Sequence, residues 1–470
     1  MNTRLHPQDM PAPMGRLQAV LIALGAGAVL GIGIAFLNPL FALMGMLGLA
    51  FVVAVFAWPE LGLLGFIATA NLLPFAVIPV RFGFSLTLVD VMLTTLLLAW
   101  VYWMVARGRP LVEGTLNVAV LVYVGLALTS FVLGLTYSIS PERLRLFIKS
   151  INSILLFFAT INCVRSAVSL KRMILALLLG GVAAAIVAIV LLYLPEATAA
   201  ALLSSLGVLG YPTGADVLRP IADTDILRAI GTSVDPNVLG GLLMTVSAML
   251  VAQLFSPRPL LSRRLLWPMA VMAVAALLLT HSRSALGGLV IGAAIVGVFR
   301  DRRLLWLMLA IAAIMPFIPQ AAVLMERLAS GVSFQDRGAA MRLDEFRDAI
   351  NLIGMYPWFG IGFGEPPSIN LYLGVSSIYL LIGQEMGLIG LSAFLSVLAI
   401  LGWQVASALK LNRDDEVGGM LLSLAAALGA ALSAGLLDHY YANILFPHMV
   451  ALFWLYLGLA TVAVRLSRES

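Results

Sequence analysis

MILALLLGGVAAAIVAIVLLYL, residues 173–194, contains no charged side chain and no proline. About 20 such residues in a helix cross the hydrocarbon layer of a bilayer, so this run reads as a membrane span. Lys171 and Arg172 stand directly before it, which gives it a basic anchor at one end. Working outward, windows of the same kind recur near 17-37, 39-57, 61-79, 86-106, 116-136, 146-163, 236-255, 265-281, 284-299, 304-323, 374-403, 417-437 and 446-464. A chain that is 61% hydrophobic with mean hydropathy +1.04 is too apolar for a water-soluble core. The runs are long and rich in Ala, Gly and Leu, where a transmembrane barrel needs short alternating strands. The predicted fold is an all-α polytopic membrane protein with about 12–14 transmembrane helices.

The first window follows Arg4 and Arg16 as a signal peptide would, but its length and the span that follows at once make it a helix. The lone Cys163 excludes an intramolecular disulfide and a cysteine-built zinc site, and its role is packing. There is no HExxH, no Walker loop, no nucleotide-binding glycine fingerprint and no carboxylate-rich cation site. No cofactor and no metal are expected.

Basic residues set the orientation. With a cytoplasmic N-terminus, the inner loops carry Arg4/Arg16, Arg107/Arg109, Arg165/Lys171/Arg172, Arg258/Arg263/Arg264, Arg300/Arg302/Arg303, Lys410/Arg413 and Arg465/Arg468, which is 17 of the 28 basic residues. Topology accounts for them, so they imply no nucleic-acid surface. The others lie mostly in two long outer loops, 195-235 and 324-373. Span 146-163 is the weak point, because it contains Lys149.

The outer side then collects Arg219, Arg228, Asp235 and Asn237 before one helix, His281 and Arg283 in a tight turn, and Asp438 and His439 after span thirteen. It also holds the polar block RGAAMRLDEFRDAINLIGMYPWFGIGFGE, Arg337 to Glu365. Within that block Met341, Phe346, Ile350 and Ile353 recur near helical spacing, which predicts an amphipathic helix over 331-356 resting its apolar side on the bundle. Arg283 sits between two apolar runs, where a guanidinium is costly unless it meets an anion; a phosphate fork and a snorkelling or helix-end role both fit. Arg342 and Arg347 offer the same chemistry, and for Arg347 local pairing with Asp344, Glu345 or Asp348 is favoured. The glycines of YPWFGIGFGE suit either close approach to a ligand or plain packing. Asp235 and Pro236 read as a helix start. Glu385, inside span twelve, is either functional or bonded to a neighbouring helix.

Four segments, RAIGTSVDPNVLGGLL (228-243), LTHSRSALGGLVIG (279-292), MRLDEFRDAINLIGMYPWFGIGFG (341-364) and IYLLIGQEMGLIGL (378-391), resemble in their order the O-antigen ligase and O-antigen polymerase family of bacterial envelope proteins. The N-terminal spans match only as generic helices, which divides the chain into a 1-194 bundle and a 195-470 ligase/polymerase-like domain. The resemblance implies a C-type glycosyltransferase that uses an undecaprenyl-pyrophosphate-linked glycan at the periplasmic face of the inner membrane. It places the family's phosphate-binding arginines on Arg283 and Arg342, where fixed guanidinium donors would stabilise the pyrophosphate leaving group. Arg228, Asn237, His281, Arg347, Ser376, Glu385 and His439 are the expected substrate-binding residues. The implied partners are the lipid-linked glycan, an acceptor glycan or glycolipid, the bilayer and other polysaccharide-assembly proteins.

The sequence departs from the family at one place. A histidine usual nine residues before the glutamate of E-x-G-x-x-G falls on Ser376, counting back from Glu385. A serine with no adjacent base does not activate an acceptor, so Glu365 is the expected substitute, with His281, His439 and Asp438 as rivals. The departure favours a polymerase or a divergent ligase. The alternative from another class is a lipid-linked glycan flippase or other transporter, which needs ionisable groups near the midplane. Asp90, Lys149 and Glu385 are its candidates.

Overall fold

The computed structural model describes residues 39–78, 86–136, 140–214, 217–221, 226–314, 337–364, 375–411 and 415–469, with isolated positions 25, 27, 31 and 317. In chain order the helices are α1 (Pro39–Ala57), α2 (Pro59–Leu72), α3 (Leu88–Ala106), α4 (Thr115–Gly134), α5 (Pro141–Cys163), α6 (Ala167–Tyr193), α7 (Glu196–Ser205), α8 (Pro236–Phe255), α9 (Arg263–Leu279), α10 (Arg283–Phe299), α11 (Arg303–Ile314), α12 (Arg337–Met355), α13 (Ile378–Leu411), α14 (Glu416–Ala434) and α15 (Pro447–Glu469). Among the described residues there is no strand, only isolated bridges between Val77 and Thr87 and between Pro220 and Leu227. Among the described residues eight helices, α3, α4, α5, α6, α8, α13, α14 and α15, are long and apolar enough to cross a membrane. The protein is an all-α, multi-pass membrane protein. Each apolar window from 39 onward contains a helix, that in 304-323 being described as far as Ile314, whereas 17-37 lies outside the described residues apart from three positions.

Local chemistry sets the helix ends. Ser166 caps α6 by accepting the Ser169 amide, and Thr87 and Asp90 form a reciprocal capping box on α3. Helix α2 stops at Leu72, short of its 61-79 window, because Pro74 disfavours helical backbone at Leu73. The 195-235 loop is not bare, since it carries α7 and a 3-10 turn at Leu206–Leu209.

One apolar core runs through the bundle and crosses the 194/195 division. Helices α8 and α15 are its axis, with 83% of the apolar window of each buried. The rim instead turns Val118, Leu121, Val122 and Val132 of α4 outward, as a lipid-facing surface requires. Small residues allow a close contact between α10 and α14. A Cβ at Gly288 would stand 2.8 Å from the Ala430 carbonyl oxygen, and one at Gly292 2.9 Å from that of Ala426.

Two expectations resolve against this frame. Span 146-163 is a full helix, α5, because Lys149 Nζ meets Asp90 Oδ2 at 2.6 Å in a largely buried ion pair. The amphipathic helix exists as α12, but its apolar residues divide. Phe346 packs against Ala349, Val375 and Leu381 on the bundle side, while Met341 and Ile350 are exposed, so the expectation that all four rest on the bundle is corrected.

Helix α13 is broken. Gly387 has φ 66, and the backbone groups freed there are taken up by the turn after α12. Leu388 N donates to Pro357 O (2.7 Å), Ile361 N to Gln384 O (2.9 Å) and Gly362 N to Glu385 O (3.0 Å). Ser130 Oγ of α4 adds a third side, lying 2.8 Å from Phe359 O and 2.6 Å from Glu385 O. A side chain at Gly387 would meet the Trp358 carbonyl at 2.3 Å. The Gly-rich turn is therefore a backbone plug in a split helix, and its glycines serve packing.

Candidate active site

The starts of α8, α10, α13 and α15 and the ends of α9 and α14 lie at one end of the bundle. Arg228 binds two of these segments together. Its Nε donates to Thr280 O at 2.7 Å, past the end of α9, and its Nη2 to Asn237 Oδ1 at 2.8 Å, in the first turn of α8. The first contact satisfies a carbonyl that a helix end leaves open. Asp235 caps α8, with Oδ1 accepting from Asn237 N at 2.8 Å and Val238 N at 3.0 Å.

The tight turn after α9 runs Thr280, His281, Ser282, with His281 at φ 52, unusual for a residue with a side chain. Arg283 then opens α10. Ser284 Oγ donates to Asp438 Oδ2 at 3.0 Å, which ties α10 to the turn following α14. Asp438 is buried, and its other oxygen accepts the His439 amide at 3.0 Å and lies 3.5 Å from His439 Nδ1.

Electrostatics show how tightly the arginines gather. Burial pushes the Arg228 guanidinium below its usual range; Asp235 and Asp438 oppose that shift, while Arg342 and Arg283 add to it. Two guanidinium groups and two carboxylates thus act on Arg228 at this end. Arg342 makes no hydrogen bond or ion pair with the described residues. Arginine forks suit phosphate oxygens, and like charges gathered in a half-buried place are a recurrent feature of anion sites.

Along α12, Arg342, Glu345, Phe346 and Ala349 follow helical spacing on one face. Glu345 Oε2 accepts from Ser376 N at 3.0 Å and Ser376 Oγ at 2.7 Å. The Ser376 segment is tied in turn to the end of α14, through Ile378 N to Gly435 O at 2.8 Å. The expectation that Ser376 has no neighbouring base is therefore corrected, since a carboxylate holds its hydroxyl.

The sequence-derived residues separate into groups. Arg228, Asn237, Arg283, His281, Arg342, Ser376 and His439 all lie at this end of the bundle. Arg347 pairs instead with Asp344 at 3.2 Å on the outward face of α12, both side chains well exposed. Glu385 faces a small cavity between α4, α5, α13 and α15, with Tyr123, Phe147 and Ser150. Glu365 lies outside the described residues. Sequence reasoning missed Ser284 as a partner of Asp438 and Glu345 as a partner of Ser376. The usable signal for Glu345 was its position one turn beyond Arg342. Among the described residues no group of three His, Cys, Asp or Glu side chains could hold a metal.

The fold defines a multi-pass, all-α membrane protein, and it brings Arg228, Arg283 and Arg342 to one end of the bundle. Residues 268–395 match the O-antigen ligase family, and the resemblance carried by the motifs of this half is borne out over that stretch. The match runs from α9 through α12 into α13 and so contains Arg283, Arg342, Glu345 and Ser376. It supports a lipid-linked glycan ligase or polymerase, an enzyme of the glycosyltransferase kind. No curated protein matches the chain.

Proposed function

We propose that the protein transfers or polymerises an undecaprenyl-pyrophosphate-linked glycan at the periplasmic face of the bacterial inner membrane. The observation that carries this reading is the convergence of Arg228, Arg283 and Arg342 at one end of the bundle, within and beside the matched stretch. In such a transfer the acceptor oxygen bonds to the anomeric carbon as the carbon–oxygen bond to pyrophosphate breaks. Negative charge grows on the leaving group, where preorganised guanidinium donors lower the barrier most. The lipid carrier supplies the activation, so no nucleotide is needed.

The loops and helix ends at the opposite end carry Arg165, Lys171, Arg172, Arg263, Arg300 and Arg465, which supports assigning that end to the cytoplasm. The flippase reading loses two of its three intramembrane groups, because Asp90 and Lys149 neutralise one another.

Two measurements test the proposal. Arg283→Ala, at matched expression, should abolish product from lipid-linked substrate, and Arg283→Lys should also be poor because it loses the fork; product near the wild-type level in the alanine variant sinks the assignment. Asp344, 74% exposed on α12, changed to cysteine in a Cys163→Ser background, should react with a membrane-impermeant thiol reagent in intact spheroplasts. Labelling only after permeabilisation would reverse the orientation.

A further inference from the structure

The carboxylates at the site end hold different positions. Asp235 is occupied in capping α8. Asp438 is buried, and both of its oxygens are engaged, by Ser284 and by the His439 amide. Asp344 pairs with Arg347 on the outward face. Glu345 differs from all three. It is half-buried, both of its donors come from Ser376, and both reach the same oxygen, Oε2. Its Oε1 has no hydrogen-bond partner among the described residues. The two donors are neutral groups of one residue, the amide and the hydroxyl of Ser376.

Its place relative to the arginines matters as much. Glu345 lies one helical turn from Arg342, about 5–6 Å between Cβ atoms at that spacing, and Arg342 belongs to the cluster around Arg228. A glycosyl transfer needs an anion-binding group on the leaving oxygen and a proton acceptor on the entering one, with a single sugar carbon between them. One face of α12 presents both groups in that order.

We infer that Glu345 is the general base that activates the acceptor hydroxyl, and that Ser376 is its positioning residue. The inference rests on the glycosyl-transfer reading above. Glu345 Oε1 takes the proton of the acceptor hydroxyl as that oxygen bonds to the anomeric carbon. The bond from the same carbon to the pyrophosphate oxygen breaks, its electron pair leaves with the pyrophosphate, and the arginines receive the charge. Water later removes the proton from Glu345. Ser376, through its amide and hydroxyl, holds Oε2 so that Oε1 faces the acceptor. The site therefore takes a neutral hydroxyl acceptor, such as a sugar, and not an amine or a phosphate.

The test uses purified full-length protein, the lipid-linked oligosaccharide that accumulates in cells lacking it, and undecaprenyl pyrophosphate as a binding probe. Glu345→Gln should lower kcat by about 100-fold or more while binding of undecaprenyl pyrophosphate stays within about twofold of wild type. Ser376→Ala should lower kcat by about tenfold with donor KM unchanged, and Ser376→Thr, which keeps the hydroxyl, should recover most of that loss. Glu345→Gln at near-wild-type turnover overturns the inference, as does simultaneous loss of turnover and probe binding, which would make Glu345 a strut. A comparable loss in Glu365→Gln or His439→Asn, with Glu345→Gln active, assigns the base elsewhere. Arg283→Ala keeps the two layers distinct: if it is inactive while Glu345→Gln is active, only the base assignment fails, and if it is fully active the transfer reading beneath it fails too.

Discussion

Arginine behaves differently at the two ends of this bundle. At the end carrying the short basic loops, guanidinium groups close helix termini of their own neighbourhood. Arg465 reaches Ile161 O at 3.2 Å and Val164 O at 2.8 Å, Arg300 reaches Phe255 O at 3.1 Å, and Arg165 bonds to Asn162 O and Pro110 O. Lys171 and Glu416 pair across α6 and α14 at 2.8 Å. These contacts satisfy open carbonyls and anchor spans. At the site end Arg228 plays that part for Thr280 O, and it does so under the influence of two further arginines. Partners, and not numbers, separate an anchoring arginine from one suited to a ligand.

The comparison can be broken most directly by exchanging losses between the ends. Arg342→Ala should reduce turnover by at least 100-fold, equivalent to about 3 kcal/mol of transition-state stabilisation, with little change in thermal stability in detergent. Arg465→Ala should do the reverse, lowering Tm while specific activity per folded molecule holds. Equal activity losses in both variants would erase the distinction. Next in size, Lys149→Met leaves Asp90 buried without its cation and should destabilise the protein by about 3–5 kcal/mol. The double change Lys149→Met, Asp90→Leu should recover much of that stability and retain glycan transfer. Loss of transfer in a stable double variant would return these charges to a functional role.

A smaller effect is expected at the helix break. Gly387→Ala forces a side chain into positive φ against the Trp358 carbonyl and should cost about 2 kcal/mol, read as a lower Tm in detergent. An unchanged Tm would show that the break does not need glycine. Smallest is Arg347→Ala, whose exposed pair with Asp344 is worth at most about 1 kcal/mol. Kinetics and stability should both stay near wild type, and a large loss of turnover would bring Arg347 into the site.

Hydropathy made most of the fold legible, because a span is a local property of its own residues. The windows failed in detail where a single residue decided the outcome, as Pro74 does at the end of α2 and Gly387 inside α13. Arg283 was legible because a charge between apolar runs is costly wherever it stands, whereas Arg342 stood out only through the family resemblance. Asp235 was legible as a helix cap, but the partners of Asp438 and Glu345 were not. Ser284 and Asp438 meet across 154 positions, and Glu345 and Ser376 across 31, so neither pairing leaves a periodic trace. Glu345 in particular stands among Asp344, Arg347 and Asp348, and sequence alone cannot tell which of these charges turns inward.

The split in α13 also bears on how the protein is made. The segment Ile378–Met386 above Gly387 is short, and the carbonyls of Gln384 and Glu385 depend on amides from Ile361 and Gly362. Its hydrogen bonding in lipid is incomplete until that turn is in place, and an open backbone group there is costly. The ribosome delivers α4 first, with Ser130, then the 357–362 turn, and only then α13. Vectorial synthesis thus presents the acceptor helix after both of its docking partners exist. A circular permutant that places α13 ahead of α4 would meet the membrane-insertion machinery with its backbone unsatisfied, and should be degraded as an orphan span.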